Sequence, residues 1–190
     1  MENENRDYFF NILIQNDSIK EMCAKNNFMI DKEVPVPYRH LYFPYRKELE
    51  IFCFKQDICI YSKLFGKSIS HKEAKITVGE EGILTVVLNK NAKNNVCDIG
   101  IPLVIIETKM SKNIHTHNLI AYSEKTGMVK TIFPYCKIYL LCFGDYRKNA
   151  HRHCSEFDEI LNPEIINDKN YERGIIINKK TIFFTKTPFS

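Results

Sequence analysis

The stretch VCDIGIPLVIIETKM, Val96 to Met110, decides how this chain is read. Leu103-Val-Ile-Ile106 is apolar and β-branched, as a buried core strand is. It ends abruptly in Glu107-Thr108-Lys109. Side chains alternate along a strand, so Glu107 and Lys109 share one face and Thr108 points to the other. Charge at the end of a buried strand is costly unless it is compensated. A bound cation removes that cost. Asp98, at the approach to the strand, and Glu107 supply hard oxygen ligands suited to Mg2+ or Mn2+. Lys109 then stands where it orients or deprotonates a water.

Working outward, Lys75–Val78 and Ile83–Asn89 read as two strands joined by Gly79-Glu-Glu-Gly82, a four-residue hairpin loop. Upstream, Pro44 suits the first turn of a helix over residues 45–65, with Leu49, Phe52, Cys53, Ile60 and Leu64 at approximate helical spacing. The run IFCFKQDICIY within it is also compatible with a strand. Downstream, Ser111–Lys125 predicts a helix capped by Ser111 or Asn113, with Asn118 and Tyr122 four apart on one face. Lys137–Phe143 follows as an apolar strand, parallel to the Glu107 strand through a right-handed crossover.

The arrangement Asp98, apolar strand, Glu107-x-Lys109 resembles the PD-(D/E)xK nuclease superfamily, over about residues 45–143. Gly100-x-Pro102 is similar to turns at this point in restriction enzymes. One departure is plain: Cys97, not Pro, precedes Asp98. The resemblance implies an α/β fold, a mixed central sheet flanked by helices, with a restriction-endonuclease-like α-β-β-β-α-β core. It implies Mg2+-dependent phosphodiester hydrolysis in DNA, as in a type II restriction enzyme, with Asp98, Glu107 and Lys109 catalytic. Asp98 and Glu107 hold the metal, and Glu50 or Glu48 adds a further ligand from the preceding helix. Asn118 and Tyr122 resemble a Gln-x-x-x-Tyr pair that touches substrate in some of these enzymes. His117, beside His115 and Thr116, is placed to meet a phosphate. A homodimer supplies two such sites by symmetry. Two other readings stay open: an RNA-directed nuclease with the same metal site, and a non-catalytic nucleic-acid-binding or interaction module in which Glu107 and Lys109 pair.

The rest of the chain bounds these readings. One domain over residues 1–190 is expected at this length. The formal charge of +4, from 27 basic and 23 acidic residues, permits a polyanionic partner without demanding one. The apolar runs fall short of a membrane span, and MENENRDYFF lacks the features of a signal peptide, so a cytoplasmic protein without a membrane is expected. Several of the seven cysteines lie in apolar runs, and they read as small buried hydrophobes of a reducing compartment. Residues 7–25 predict an amphipathic helix broken near Asn16-Asp17, and Val34-Pro-Val-Pro37 predicts a non-helical connector. Arg147, Lys148 and Arg152 form a basic patch suited to phosphate. His151-Arg-His-Cys154 lacks a second cluster at zinc spacing, so no structural zinc is expected. Phe157–Leu161 predicts a short helix, and 174–178 with 181–185 predicts a hairpin. No nucleophilic triad order stands out.

Overall fold

A computed structural model describes residues 2–43, 45, 48–64, 74–78, 83–88, 99–110, 115–143, 155–161, 163–167, 172–177 and 180–186. The chain is mixed α/β. Helices α1 (Glu2–Gln15) and α2 (Asp17–Asn26) come first, then strands β1 (Met29–Phe43), β2 (Glu48–Lys63), β3 (Ala74–Val78), β4 (Ile83–Leu88) and β5 (Gly100–Met110). Helix α3 (Thr116–Ile132) leads to β6 (Lys137–Phe143) and β7 (Glu159–Leu161). β8 (Pro163–Asn167), β9 (Glu172–Ile177) and β10 (Lys180–Lys186) make a separate three-stranded antiparallel sheet.

The main sheet runs β3-β4-β2-β5-β6-β7, with β1 paired along β2. β1 to β5 pair antiparallel, while β5, β6 and β7 are parallel. The parallel step from β5 to β6 crosses through α3, as a parallel pair requires. Two apolar layers enclose the sheet. α3 covers one face through Leu119, Val129 and Phe133, packed on Cys59, Tyr61, Ile105, Ile138 and Leu140. α1 covers the other through Phe9, Ile12 and Leu13, packed on Ile58, Ile106 and Leu141.

The helix break at Asn16 is a cap: its side chain accepts from the Ile19 N–H at 3.1 Å and starts α2. Asn27 ends α2 in the left-handed region, φ 56°.

Three expected elements are corrected. Residues 48–63 are a strand, not a helix. Ile51, Phe52, Phe54, Ile58, Ile60 and Tyr61 favour β structure, and burial of Ile51, Cys53, Phe54 and Ile58–Tyr61 blurs the alternation that would have marked it. Val34-Pro-Val-Pro37 lies inside β1, which pairs with β2 on one side and so tolerates proline on the other. Glu159–Leu161 is strand β7, not helix. Strands 74–78, 83–88, 100–110 and 137–143 and the β9–β10 hairpin match expectation. Among the described residues no helix is long and apolar enough to cross a membrane.

Candidate functional site

The site begins with a fork in the sheet. β1 lines one edge of β2 along nearly its full length. The other edge is shared: β4 pairs with Leu49–Phe54 and β5 with Ile58–Lys63. Lys55, Gln56 and Asp57 fall between the two. β5 runs on past its last β2 pair, Ile58↔Ile106, and carries Glu107 and Lys109 into the opening while its other edge stays paired to β6.

Opposite the fork, β1 is irregular too. Its register skips Glu33, which takes φ 54°. Ile30 faces the α1 layer and Val34 the α3 layer, although four residues apart. Strict alternation would keep them on one face, so Glu33 is the point where the strand turns over.

Asp57 is therefore free of ladder constraint and bonds with its side chain. Its Oδ2 accepts from the Thr108 N–H at 2.8 Å and from the Thr108 hydroxyl at 2.9 Å. Lys109 Nζ lies 3.5 Å from the same oxygen and 3.8 Å from Glu107 Oε2. Lys109 also sits 4.9 Å over the Tyr122 ring from α3, a cation–π contact. Gln56, Asp57, Glu107, Lys109, Tyr122 and Lys125 line a cavity of about 180 Å³. Phe54, Val129 and Ile138 form its apolar wall.

Glu107 holds the unusual proton. Burial, then the Asp57 charge, push its carboxyl up to about 7; Lys109, a hydrogen bond from the Asp57 backbone and Lys125 pull the other way. Its side chain keeps 16 % exposure, so the proton reaches solvent. Burial, then Cys136 and Glu107, hold the nearby Cys59 thiol well above its ordinary range, so it is no nucleophile. The cluster thus offers a carboxyl that gains and loses a proton near neutrality, a fixed cation beside it and an apolar wall.

Of the residues expected to act, the structure brings Glu107, Lys109 and Tyr122 together. Asn118 lies one turn before Tyr122 and is half-buried, and His117 is exposed at the start of α3, its ring stacked 5.7 Å from His115. His115 occupies the N-cap position without a side-chain cap bond. Asp98, Arg147, Lys148 and Arg152 lie outside the described residues, as do the proposed caps Ser111 and Asn113. Glu50 is corrected. It sits on β2 seven residues from Asp57, about 23 Å along an extended strand, so it cannot join this cluster. Glu48 is two residues farther still. Asp57 and Lys125 were missed. A lone acid inside the apolar run IFCFKQDICIY was the available signal, hidden once that run was read as helix.

No family profile matches the chain. It is similar to the 3-isopropylmalate dehydratase small subunit of Clostridioides difficile (strain 630), 28 % identical over 160 residues, which span 76 % of this chain and 92 % of that protein. That likeness overturns the nuclease expectation, and with it phosphodiester hydrolysis, the restriction-type role and the family resemblance drawn from Glu107-x-Lys109: the relative is named a dehydratase. The physical reason is that the pattern fixes two side chains on one face and leaves the chemistry open. The expected Mg2+ centre, with Mn2+ as substitute, is corrected as well. Among the described residues no group of three His, Cys, Asp or Glu side chains is placed to hold a metal. At the fork, Lys109 lies between the Asp57 and Glu107 carboxylates and supplies the compensating charge a metal was invoked for.

Proposed function

We propose that this chain is a metabolic protein of dehydratase type that binds a small hydroxycarboxylate in the fork cavity, with Glu107 as the group that exchanges its proton. One observation carries the reading: Glu107, held at about 7, sits beside Lys109 in a partly apolar cavity. A general acid–base works best with a pKa near the working pH. Dehydration removes a proton from one carbon and the hydroxyl from its neighbour. The hydroxyl leaves as water, so a carboxyl that both takes and gives a proton serves either step. Lys55, Lys109 and Lys125 are the lining cations for an anionic substrate, and Phe54, Val129 and Ile138 suit an alkyl branch. The relative's name, a dehydratase acting on 3-isopropylmalate, supports this class of substrate, and its designation as a small subunit supports a second subunit for this chain.

The architecture carries a finer proposal. The order α1-β1-β2-β5-α3-β6 runs helix, three antiparallel strands, helix, parallel strand, with β3 and β4 as an insertion. We carry a restriction-endonuclease-like core as a statement about topology alone, without the activity.

The test is calorimetric binding of 3-isopropylmalate and of malate to the wild type and to Glu107→Gln and Lys109→Met. Saturable binding by the wild type, weakened at least tenfold in Lys109→Met, supports the reading. Failure of the wild type to bind either acid at millimolar concentration overturns it.

A further inference from the structure

Arg6 is a cation that the site chemistry above does not use. It belongs to α1, on the far face of the sheet from α3. Its side chain is 13 % exposed. Its Nη1 lies 3.8 Å from Asp57 Oδ1 and 3.4 Å from Glu33 Oε1, and its Nε lies 3.4 Å from Asp7 Oδ1. Asp7 is held in turn by Lys32 at 2.8 Å, and Glu33 by Lys55 at 3.7 Å.

The two oxygens of Asp57 thus answer to different elements. Oδ2 is bound on the β5 side by Thr108 and Lys109, and Oδ1 meets Arg6 from α1. Such contact across a continuous ladder would be blocked by the strands themselves. Here it passes through the place where β2 has, among the described residues, no partner on one edge and β1 turns over at Glu33 on the other.

We propose that Arg6 is a positioning residue that works through the sheet: by holding Asp57 from the α1 face, it sets how readily Glu107 gives up its proton on the α3 face. Loss of Arg6 leaves the Asp57 charge less compensated, and a less compensated carboxylate makes its neighbour harder to ionise. The groups facing this pair are Arg6 from α1, Glu33 from β1, Lys55 and Cys59 from β2, Lys109 from β5, and Tyr122 and Lys125 from α3. The proposal concerns the proton of Glu107 and leans on the reading above for its use. Its readout needs no substrate, so the two can fail separately.

The experiment is carbon-13 NMR titration of glutamate side-chain carboxyls in the full chain, with Glu107→Gln identifying the resonance. In Arg6→Met the Glu107 midpoint rises by about half a unit or more, and Arg6→Lys returns it most of the way. Glu33→Gln, at an exposed side chain, releases Arg6 toward Asp57 and moves the midpoint down. Opposite displacements establish the coupling. A folded Arg6→Met protein with an unmoved midpoint overturns it, however much its melting temperature falls. If Arg6→Met does not fold, Glu33→Gln decides alone, and an unmoved midpoint there overturns the proposal.

Discussion

Glu107 and Asp158 are both approached by lysines, and they end in opposite states. At the fork, Glu107 shares Lys109 with Asp57 and is pushed up to about 7. On the other side of α3, Asp158 has two lysines to itself. Lys137 lies 2.9 Å from Oδ1 and Lys130 3.0 Å from Oδ2, which also accepts from the Ile138 N–H at 2.8 Å. The Asp158 N–H donates back to the Ile138 carbonyl at 2.8 Å. Burial raises the Asp158 carboxyl, but the Ile138 N–H and the two lysines outweigh it and bring it to about 2. Asp158 fastens α3, β6 and the turn before β7 to one another. Glu107 shares its nearest cation, Lys109, with Asp57, whereas the clamp sets two cations on one acid. A structural carboxylate is saturated with donors, and a working one is kept short of them.

The contrast is sharpest in function. On the proposed reading, Glu107→Gln keeps the shape and abolishes the proton exchange, so turnover of a hydroxycarboxylate falls by about 10²–10⁴-fold. Asp158→Asn leaves that turnover within about twofold. Ultraviolet detection of the unsaturated product checks both. Equal losses in the two variants break the distinction.

Stability against pH separates them next. Glu107 binds its proton more tightly folded than unfolded, with a folded value of about 7 against an ordinary 4.5. Its contribution is therefore intact below pH 4.5 and is lost as pH rises through 7, by up to about 3 kcal/mol. Asp158 has the opposite sign, with a folded value of about 2 against an ordinary 3.8. Its contribution is present above pH 3.8 and is lost as pH falls through 2. Urea melts at pH 4.5 and 8 resolve the first effect: Glu107→Gln flattens the decline and is more stable than wild type at pH 8, as expected where function holds a buried acid against stability. A Glu107→Gln protein with the wild-type pH profile refutes that assignment.

Asp158→Ala comes third, at about 2 kcal/mol lost at pH 7, because it strands the Ile138 N–H and leaves Lys130 without its carboxylate. Its melting midpoint in urea is the measurement. A loss under about 0.5 kcal/mol shows the clamp to be ornamental.

Much of this was legible in advance, and the gaps have physical causes. β5 and β6 announced themselves because their apolar runs are short and cleanly ended. The period of 2 then placed Glu107 and Lys109 on one face correctly, and the spacing of four placed Tyr122 one turn beyond Asn118. β2 escaped because it is sixteen residues long and buried along most of its length, which leaves neither the length nor the period of an ordinary strand. With β2 went Asp57. Arg6 was invisible for a deeper reason: it meets Asp57 across fifty-one positions of chain, through a gap made by an irregular residue in a third segment. The chemistry was misread because Glu-x-Lys on a strand specifies a geometry that several reactions share.

Glu33 tests whether the gap is built or accidental. A non-glycine residue at φ 54° costs about 1 kcal/mol or more relative to glycine. Its side chain is 55 % exposed, so its ion pairs with Arg6 and Lys55 return little. Glu33→Gly removes strain and ion pairs together, and its stability stays within about 1 kcal/mol of wild type. Glu33→Ala removes the ion pairs and keeps the strain, so it melts below the glycine variant by about 1 kcal/mol. The difference between the two variants isolates the backbone contribution, which the clamp around Asp158 does not have. Identical melting of the alanine and glycine proteins means the left-handed turn at Glu33 is not held under strain, and the turnover of β1 then has no energetic cost to be set against the opening of the site.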